Sequence, residues 1–182
     1  MIIKGNFIYL KSLSIKDSYF IYNLRKKKKI SKYLHSPPNS VYDQIKWIKD
    51  NIKKKDTLDF VIICKKKNKK IGTIGFDKIK KTKAEWGRWI CQGTTIQNIE
   101  AIIILLIFGF ERLRFKEIYS LTNINNRKVV NFHKNTSAKY KGIIKSFFLI
   151  NNKKTDAVKF TFTKKNFLEF KKKIYLISES TL

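Results

Sequence analysis

Cysteine, glycine, proline and histidine are all scarce in this chain of 182 residues. Two cysteines, Cys64 and Cys91, are too few for a disulfide framework or a four-cysteine zinc site, and they fit a reducing, cytoplasmic compartment. Seven glycines and two prolines exclude collagen-like, linker-like and low-complexity chains. Two histidines exclude a histidine-rich metal site, so we expect no bound metal.

Long apolar segments are also missing. The longest run covers residues 99–110, which is 12 residues with Glu100 near its start, whereas a membrane-spanning helix needs about 20. The run therefore predicts a buried core helix and no transmembrane segment. The N-terminus turns polar at Lys4, so we expect no signal peptide. The length and the 43% apolar content predict one domain over residues 1–182.

Acidic residues are few: 13 of them oppose 41 basic residues, which gives a net charge of +28. The basic residues are 36 Lys and only 5 Arg, beside 28 Ile, 14 Asn and 4 Ala. Because Lys, Ile and Asn have A/T-rich codons, much of the charge is explained by genome composition. The resulting field still attracts anions and repels polycations. Nucleotides, CoA and nucleic acid are therefore favoured partners, and polyamines are disfavoured.

Apolar periodicity and turn residues predict the element order β-α-α-β-β-β-α-β-α-β-β-α. The predicted strands cover residues 2–10, 57–65, 70–76, 84–91, 117–121, 143–150 and 157–162. The predicted helices cover residues 14–25, 40–52, 96–113, 126–135 and 166–174. This order predicts an α/β fold: a mixed, mostly antiparallel sheet of about seven strands with helices on both faces.

The stretch from Ala84 to Thr95 reads as a strand, a glycine-containing turn and a helix N-terminus. The first amides of a helix are free, and the helix dipole is positive there, so such a junction can hold a pyrophosphate. Walker, G-x-G-x-x-G, H-E-x-x-H and G-x-S-x-G motifs are absent from the sequence.

A second informative stretch runs from Thr122 to Asn135. On a helix, Asn126, Val129 and His133 share one face, and Asn126 and His133 lie about 10 Å apart along the axis. That face can contact an extended ligand at two points. The alternative is that His133 is a structural histidine with its hydrogen bonds satisfied inside the fold.

Taken together, these stretches resemble the GNAT superfamily of acyl-CoA N-acyltransferases, over about residues 5–165. The resemblance is greatest to the branch of ribosomal-protein alanine acetyltransferases and amino-sugar acetyltransferases. It rests on residues 71–76, 84–87, 99–101 and 108–113 and on the segment from Asn126 to His133. The chain departs from the family pattern at the pyrophosphate loop, which has one glycine, Gly93, and at His133, where the family has Tyr. In these departures the chain resembles a sub-branch of the family that acylates nucleotide-linked amino sugars for bacterial surface glycans such as lipopolysaccharide O-antigen.

The resemblance implies acetyl-CoA, or another acyl-CoA, as co-substrate. Its pantetheine arm would pair with the backbone of Trp89, Ile90 and Cys91 and contact Asn126. Its pyrophosphate would face the segment made of Gly93, Thr94, Thr95, Ile96, Gln97 and Asn98.

The resemblance also implies the catalytic residues. His133 would face the thioester sulfur, as a general base or as a hydrogen-bond donor, with a pKa lowered by the positive field. Glu85 would accept the proton of the amine, unless it only forms a salt bridge with a lysine. His35 and Glu85 would line the acceptor pocket, and Tyr119 and Tyr140 are reserve proton donors.

The leading functional hypothesis is acetyl or acyl transfer from CoA to the amino group of a nucleotide-linked amino sugar, which is a small anionic acceptor. The first alternative is a protein N-terminal acetyltransferase of the ribosomal kind. The second is a non-catalytic basic module that binds nucleic acid or a membrane surface, in which Phe167 and Phe170 beside Lys171–Lys173 contact an anionic membrane weakly. Aromatic residues are not interleaved with the lysine runs, so no specific nucleic acid is expected. A homo-oligomer is left open.

Overall fold

The computed structural model describes the backbone of residues 1–150 and 152–179, and the side chains of 1–150 and 152–172. Within these residues, one sheet contains the strands β1 (Ile2–Lys4), β2 (Ile8–Ser12), β3 (Leu58–Cys64), β4 (Lys69–Lys80), β5 (Lys83–Cys91), β6 (Glu117–Asn123), β7 (Lys139–Ile150) and β8 (Lys153–Thr163). The helices are α1 (Ser18–Lys26), α2 (Lys28–Ser31), α3 (Val41–Ile52), α4 (Thr95–Ile107), α5 (Arg127–Asn135) and α6 (Lys164–Glu179). A 3₁₀ turn at Ile15–Asp17 precedes α1, and a π-helical turn at Phe108–Arg112 extends α4.

The sheet order is β1-β2-β3-β4-β5-β6-β8-β7, which confirms the predicted mixed α/β class. The sheet has eight strands among the described residues rather than about seven, because residues 2–10 form two strands instead of one. The carboxylate of Glu100, on α4, accepts the backbone N–H groups of Asn6, Phe7 and Ile8 and holds the turn between them. The apolar pattern of residues 2–10 could not predict this turn, because Glu100 lies far away in the sequence.

Two strands at the centre of the sheet separate from each other. β5 and β6 pair in parallel only from Lys83 to Glu85 and from Glu117 to Tyr119. Beyond these residues β5 stays paired with β4, and β6 stays paired with β8. A wedge-shaped opening therefore lies between the remainder of β5 and the remainder of β6.

The two faces of the sheet carry different helices. One face packs α4 and α6 in the main core, where Phe60, Phe76, Ile102 and Leu105 are fully buried. On the opposite face, Asn51 of α3 donates to the carboxylate of Asp59 in β3. α1 packs against α3 and β4 on that same side. The opening between β5 and β6 therefore has an apolar core on one side of the sheet and polar side chains on the other.

Local capping interactions begin the first helices where the sequence predicts them. Ser40 Oγ accepts the N–H of Asp43 at 3.1 Å, and the Asp43 carboxylate accepts the N–H of Ser40 at 3.1 Å. At the 3₁₀ turn before α1, the Asp17 carboxylate accepts the N–H of Ser14 at 3.0 Å and its Oγ–H at 2.8 Å. Both pairs satisfy free polar groups at the start of a helical turn.

The predicted membrane contact of Phe167 and Phe170 is wrong. Both rings are buried in the core, at 1% and 5% exposure. Phe167 stacks on Phe110, with ring centroids 5.4 Å apart, and Phe170 packs against Phe162. Phe167 and Phe170 lie three residues apart and share the face of α6 that packs on the sheet, as expected of an amphipathic helix. Among the described residues, we find no helix with the length and hydropathy needed to cross a membrane.

Candidate active site

A cavity of about 820 Å³ lies where β5 and β6 separate. It brings together six of the residues that the sequence singled out: His35, Glu85, Trp89, Ile90, Asn126 and His133. Its walls include Gln44 and Arg88 on the side of α1 and α3, and Trp86 and His133 on the other side, so the cavity passes through the opening from one face of the sheet to the other.

A bulge in β5 shapes this cavity. Gly75 pairs with Gly87 and Thr73 pairs with Ile90, so β5 has one more residue than β4 in this interval. Arg88 lies at the bulge with a φ of 50°, a left-handed conformation that is uncommon outside glycine. The extra residue places Trp86 and Trp89 on the same face, with ring centroids 6.0 Å apart. Strict alternation would place residues three apart on opposite faces.

The Arg88 side chain lies on the face opposite the two tryptophans. Its guanidinium forms ion pairs with Asp59 and, at 2.9 Å, with Asp77, and it lies over the ring of Trp47. Burial raises the pKa of Asp59, against the opposing effect of Arg88. This cluster was not predicted from the sequence. Its one available signal is a carboxylate, Asp59, inside an otherwise apolar strand.

His133 is buried on the side of the tryptophans. Its Nε2 lies 3.1 Å from Ser120 Oγ, and its ring stacks on Phe160 with centroids 4.8 Å apart. Burial lowers its pKa to about 4, so the imidazole is neutral at pH 7. The direction agrees with the expectation from the positive field, but the cause is the removal of the ring from water.

Three ring nitrogens in this part of the cavity wall have no hydrogen-bond partner among the described residues. They are His133 Nδ1, Trp86 Nε1 and Trp89 Nε1, and each atom is buried. The three residues are in contact: the Trp86 and His133 centroids are 5.5 Å apart. Buried polar groups in native proteins are normally paired, so unpaired nitrogens in a cavity wall indicate groups that bind a ligand.

Glu85 combines the salt bridge that the sequence offered as an alternative with a position in the cavity wall. Its carboxylate forms a salt bridge with Lys78 at 2.8 Å, and its side chain lines the cavity. It lies opposite Tyr119 at the last paired position of β5 and β6, on the same face as Asp77. Neither Tyr119 nor Tyr140 is among the residues that line the cavity.

His35 lies in an exposed loop at the edge of the cavity. Its ring is 6.3 Å from that of Phe148 in β7, and its carbonyl oxygen accepts a hydrogen bond from Arg25 at 2.9 Å. Asn126 lies at the other end of the cavity, as the N-cap of α5. Its Oδ1 accepts the N–H of Val129 at 3.4 Å, so Asn126 begins the helix instead of lying on its face.

The predicted pyrophosphate segment lies apart from this cavity. Gly93, Thr94, Ile96 and Gln97 border a second cavity of about 670 Å³ beside the lysines of the β3–β4 hairpin. Cys91, Thr95 and Asn98 line neither of these two cavities. The segment that follows β5 therefore faces a lysine-rich surface, which suits a phosphate group.

The start of α4 is partly satisfied by its own side chains. Gln97 Oε1 accepts the N–H of Thr94 at 3.0 Å, and Thr94 Oγ1 accepts the N–H of Gln97 at 3.3 Å. Asn98 Nδ2 donates to the carbonyl oxygens of Gly93 and Thr94. The amides of Thr95 and Ile96 have no partner among the described residues. An anion at this helix start therefore has two free amides to bind.

The unpaired edge of β5 fits an extended ligand. Beyond Glu85, the side of β5 that faces β6 has no strand partner in the described part of the chain. This edge ends next to Gly93 and the start of α4. A ligand chain can therefore pair with Trp89, Ile90 and Cys91 and place an anionic group at the helix. The residues present fit acetyl-CoA.

The model of the acetyltransferase (GNAT) domain family matches residues 8–138. The chain therefore belongs to the GNAT acetyltransferases, and its reaction is acyl-CoA-dependent N-acetyl transfer. No group of side chains suited to holding a metal ion is found among the described residues. A comparison with curated proteins finds no match.

Solved structures share the fold. A probable GNAT-family acetyltransferase from Chromobacterium violaceum is 16% identical with a TM-score of 0.81, covering 91% of this chain and 87% of its own. Spermidine N-acetyltransferase from Vibrio cholerae, in complex with CoA and spermine, is 22% identical with a TM-score of 0.79, covering 90% and 99%. FdhC, described as a nucleotide-linked sugar GNAT, is 22% identical with a TM-score of 0.77, covering 96% and 97%.

Proposed function

We propose that this enzyme acetylates the amino group of a nucleotide-linked amino sugar used in a bacterial surface glycan. The observation that carries the proposal is the pairing of charges in the cavity. Asp59 and Asp77 share Arg88, and Glu85 is paired with Lys78. Arg25 has only the carbonyl oxygens of His35 and Ser36 as partners among the described residues. The cavity thus offers the cation Arg25 to the acceptor substrate, whereas its carboxylates are already paired with Arg88 and Lys78.

This arrangement disfavours a polyamine acceptor. A polyamine needs carboxylates that are free to bind its ammonium groups, and each ion pair in the cavity would have to break first. The net charge of +28 adds long-range repulsion. An acceptor that carries a diphosphate is attracted by the same field. Similarity to FdhC supports this assignment, although the spermidine enzyme has the same fold.

The two substrates enter from different faces of the sheet in this proposal. The pantetheine arm of acetyl-CoA pairs with Trp89, Ile90 and Cys91 and contacts Asn126. The pyrophosphate lies at Thr94–Asn98, where two amides are free and lysines are near. The acceptor enters from the side of α1 and α3, past His35 and Glu85. We also propose one domain over residues 1–182, since β7, β8 and α6 complete the sheet and core beyond the matched residues.

The reaction needs a neutral amine and a stabilised leaving group. The amine nitrogen forms a bond to the acetyl carbon, its proton passes to Glu85 directly or through water, and the C–S bond breaks. His133 has a pKa too low for an effective base near pH 7. We propose that Ser120 donates to Nε2, so that the Nδ1–H of the neutral ring donates a hydrogen bond to the sulfur as thiolate forms.

Product analysis by mass spectrometry tests the proposed function. The enzyme is incubated with acetyl-CoA and, separately, with a panel of nucleotide-linked amino sugars, with spermidine and with a peptide bearing a ribosomal-type N-terminus. We expect a mass gain of one acetyl group on at least one sugar nucleotide. Turnover of spermidine or of the peptide alone, with every sugar nucleotide unchanged, refutes the acceptor assignment.

A further inference from the structure

Gln44 of α3 is a buried amide whose hydrogen-bonding groups have no partner among the described residues. Its side chain is fully buried, it lines the main cavity, and both Nε2 and Oε1 lack a partner among the described residues. Ile48, one turn further along the same helix, is also fully buried, so this face of α3 accommodates apolar side chains. A buried amide without partners destabilises the fold, and an apolar residue of similar size would not.

Arg25 of α1 lines the same cavity and has an unpaired group of its own. Its Nη2 donates to the carbonyl oxygens of His35 at 2.9 Å and Ser36 at 3.3 Å, which fixes the position of the guanidinium. Its buried Nε–H has no partner among the described residues. The cavity wall therefore presents two donors, one acceptor and a positive charge that no carboxylate of the described residues pairs with.

We propose that Gln44 and Arg25 form the subsite that binds the diphosphate of the acceptor, which deepens the proposed function and rests on it. Gln44 Nε2 and Arg25 Nε donate to phosphate oxygens, and Gln44 Oε1 accepts from a hydroxyl or N–H group next to the diphosphate. An amide that lacks both partners matches a ligand that supplies an acceptor and a donor together. A polyamine supplies donors only, and its charge repels Arg25.

Three substitutions test the subsite. Gln44→Leu removes the amide at similar volume, Gln44→Glu keeps its size but adds a charge that repels phosphate, and Arg25→Met removes the guanidinium. The matched control is Arg112→Met, which removes the same charge from an exposed position on the π-helical turn. The measurements are the KM for the sugar nucleotide at saturating acetyl-CoA and the thermal stability of each variant.

We expect the KM for the sugar nucleotide to rise about ten- to a hundredfold in Gln44→Leu and Arg25→Met, and at least as much in Gln44→Glu. The affinity for acetyl-CoA should change little. Gln44→Leu should melt at the same temperature as the wild type or higher, because it removes an unsatisfied buried group. A KM within twofold of the wild type in both Gln44→Leu and Arg25→Met, equal to that of Arg112→Met, overturns the subsite.

Binding of uridine diphosphate to the CoA-saturated enzyme separates this subsite from the proposed function. Saturating CoA occupies the site for the CoA nucleotide, so uridine diphosphate cannot bind there. Binding that weakens tenfold in Gln44→Leu supports the subsite even where no sugar nucleotide in the panel is acetylated, and in that case only the proposed acceptor fails. Equal weak binding of inorganic phosphate and uridine diphosphate by wild type and variants overturns the subsite.

Discussion

His133 illustrates how burial sets the chemistry of a single side chain in this enzyme. An imidazole in water has a pKa near 6.5 and titrates close to neutrality. Here the ring stacks on Phe160 and lies beside Trp86, and its pKa falls to about 4. The neutral ring offers one N–H to the cavity. This favours hydrogen-bond donation to sulfur over base catalysis, the choice that the sequence left open.

Replacing His133 with Ala should lower kcat about 10²- to 10³-fold, since a positioned donor to developing charge is lost. The affinity for acetyl-CoA should change little, and this is measured by calorimetry beside steady-state kinetics. His133→Tyr should recover part of the rate, because a phenol donates a hydrogen bond at pH 7. A wild-type kcat in His133→Ala would remove His133 from the mechanism.

The pKa of His133 also predicts how stability depends on pH. Between pH 6.5 and about 4 the unfolded chain binds a proton at this residue and the folded chain does not. His133 therefore contributes to the unfolding free energy in full above pH 6.5. About 3 kcal/mol of that free energy is lost as the pH falls to about 4. We expect the difference in unfolding free energy between the wild type and His133→Gln to change by about that amount over this range. A constant difference, measured by urea unfolding at several pH values, would show that the ring titrates normally.

At the scale of elements, the bulge in β5 depends on an ion-pair cluster from three strands. Arg88 adopts a left-handed backbone conformation while its side chain binds Asp59 and Asp77. Arg88→Gly relieves the backbone strain but leaves Asp59 buried without its cation. We expect a net loss of about 2–3 kcal/mol in unfolding free energy, because an uncompensated buried charge costs more than the strain.

The double variant Arg88→Gly with Asp59→Asn is the control for this prediction. It removes the uncompensated charge, so it should regain part of the lost stability. An Arg88→Gly protein as stable as the wild type would show that the ion pairs do not maintain the bulge.

Glu100 connects two elements that are far apart in sequence. Its carboxylate accepts three N–H groups of the turn between β1 and β2. Glu100→Ala should destabilise the protein by about 2 kcal/mol, because the turn loses a charged acceptor. Glu111→Ala, at an exposed position, is the matched control and should be near neutral. Chemical denaturation of both variants measures the difference, and equal midpoints would contradict this role of Glu100.

The parts of the fold that could be predicted are those set by neighbouring residues. The pairs Ser14–Asp17 and Ser40–Asp43 lie within one helical turn, and no charged residue interrupts the run from Ala101 to Phe110. The turn at Gly5 and the bulge at Arg88 could not be predicted, because their partners Glu100 and Asp59 lie far away along the chain. That the Gln44 amide lacks a partner among the described residues could not be predicted, because it depends on the burial of α3 in the fold.

At the scale of the molecule, the charge and the cavity act at different distances. The net charge of +28 attracts any anion, and salt screens that attraction beyond about 10 Å. The ion pairs around Arg88 and Glu85 act at contact distance, and in the proposed function they discriminate between acceptors. The kcat/KM for an anionic acceptor should therefore fall with increasing salt, while the preference for that acceptor over a polyamine persists at high salt. If the preference disappears at high salt, it results from the long-range attraction of the net charge and not from the ion pairs in the cavity.

In the proposed function, the acceptor side of the cavity binds an anionic amine and rejects a polycation. A competition assay tests it most directly: equal concentrations of a nucleotide-linked amino sugar and spermidine react with acetyl-CoA in one vessel, and mass spectrometry follows both products. The ratio of products reports the ratio of kcat/KM values. We predict that the acetylated sugar nucleotide exceeds acetylspermidine by at least tenfold. Acetylspermidine as the main product would show that the cavity does not reject a polycation.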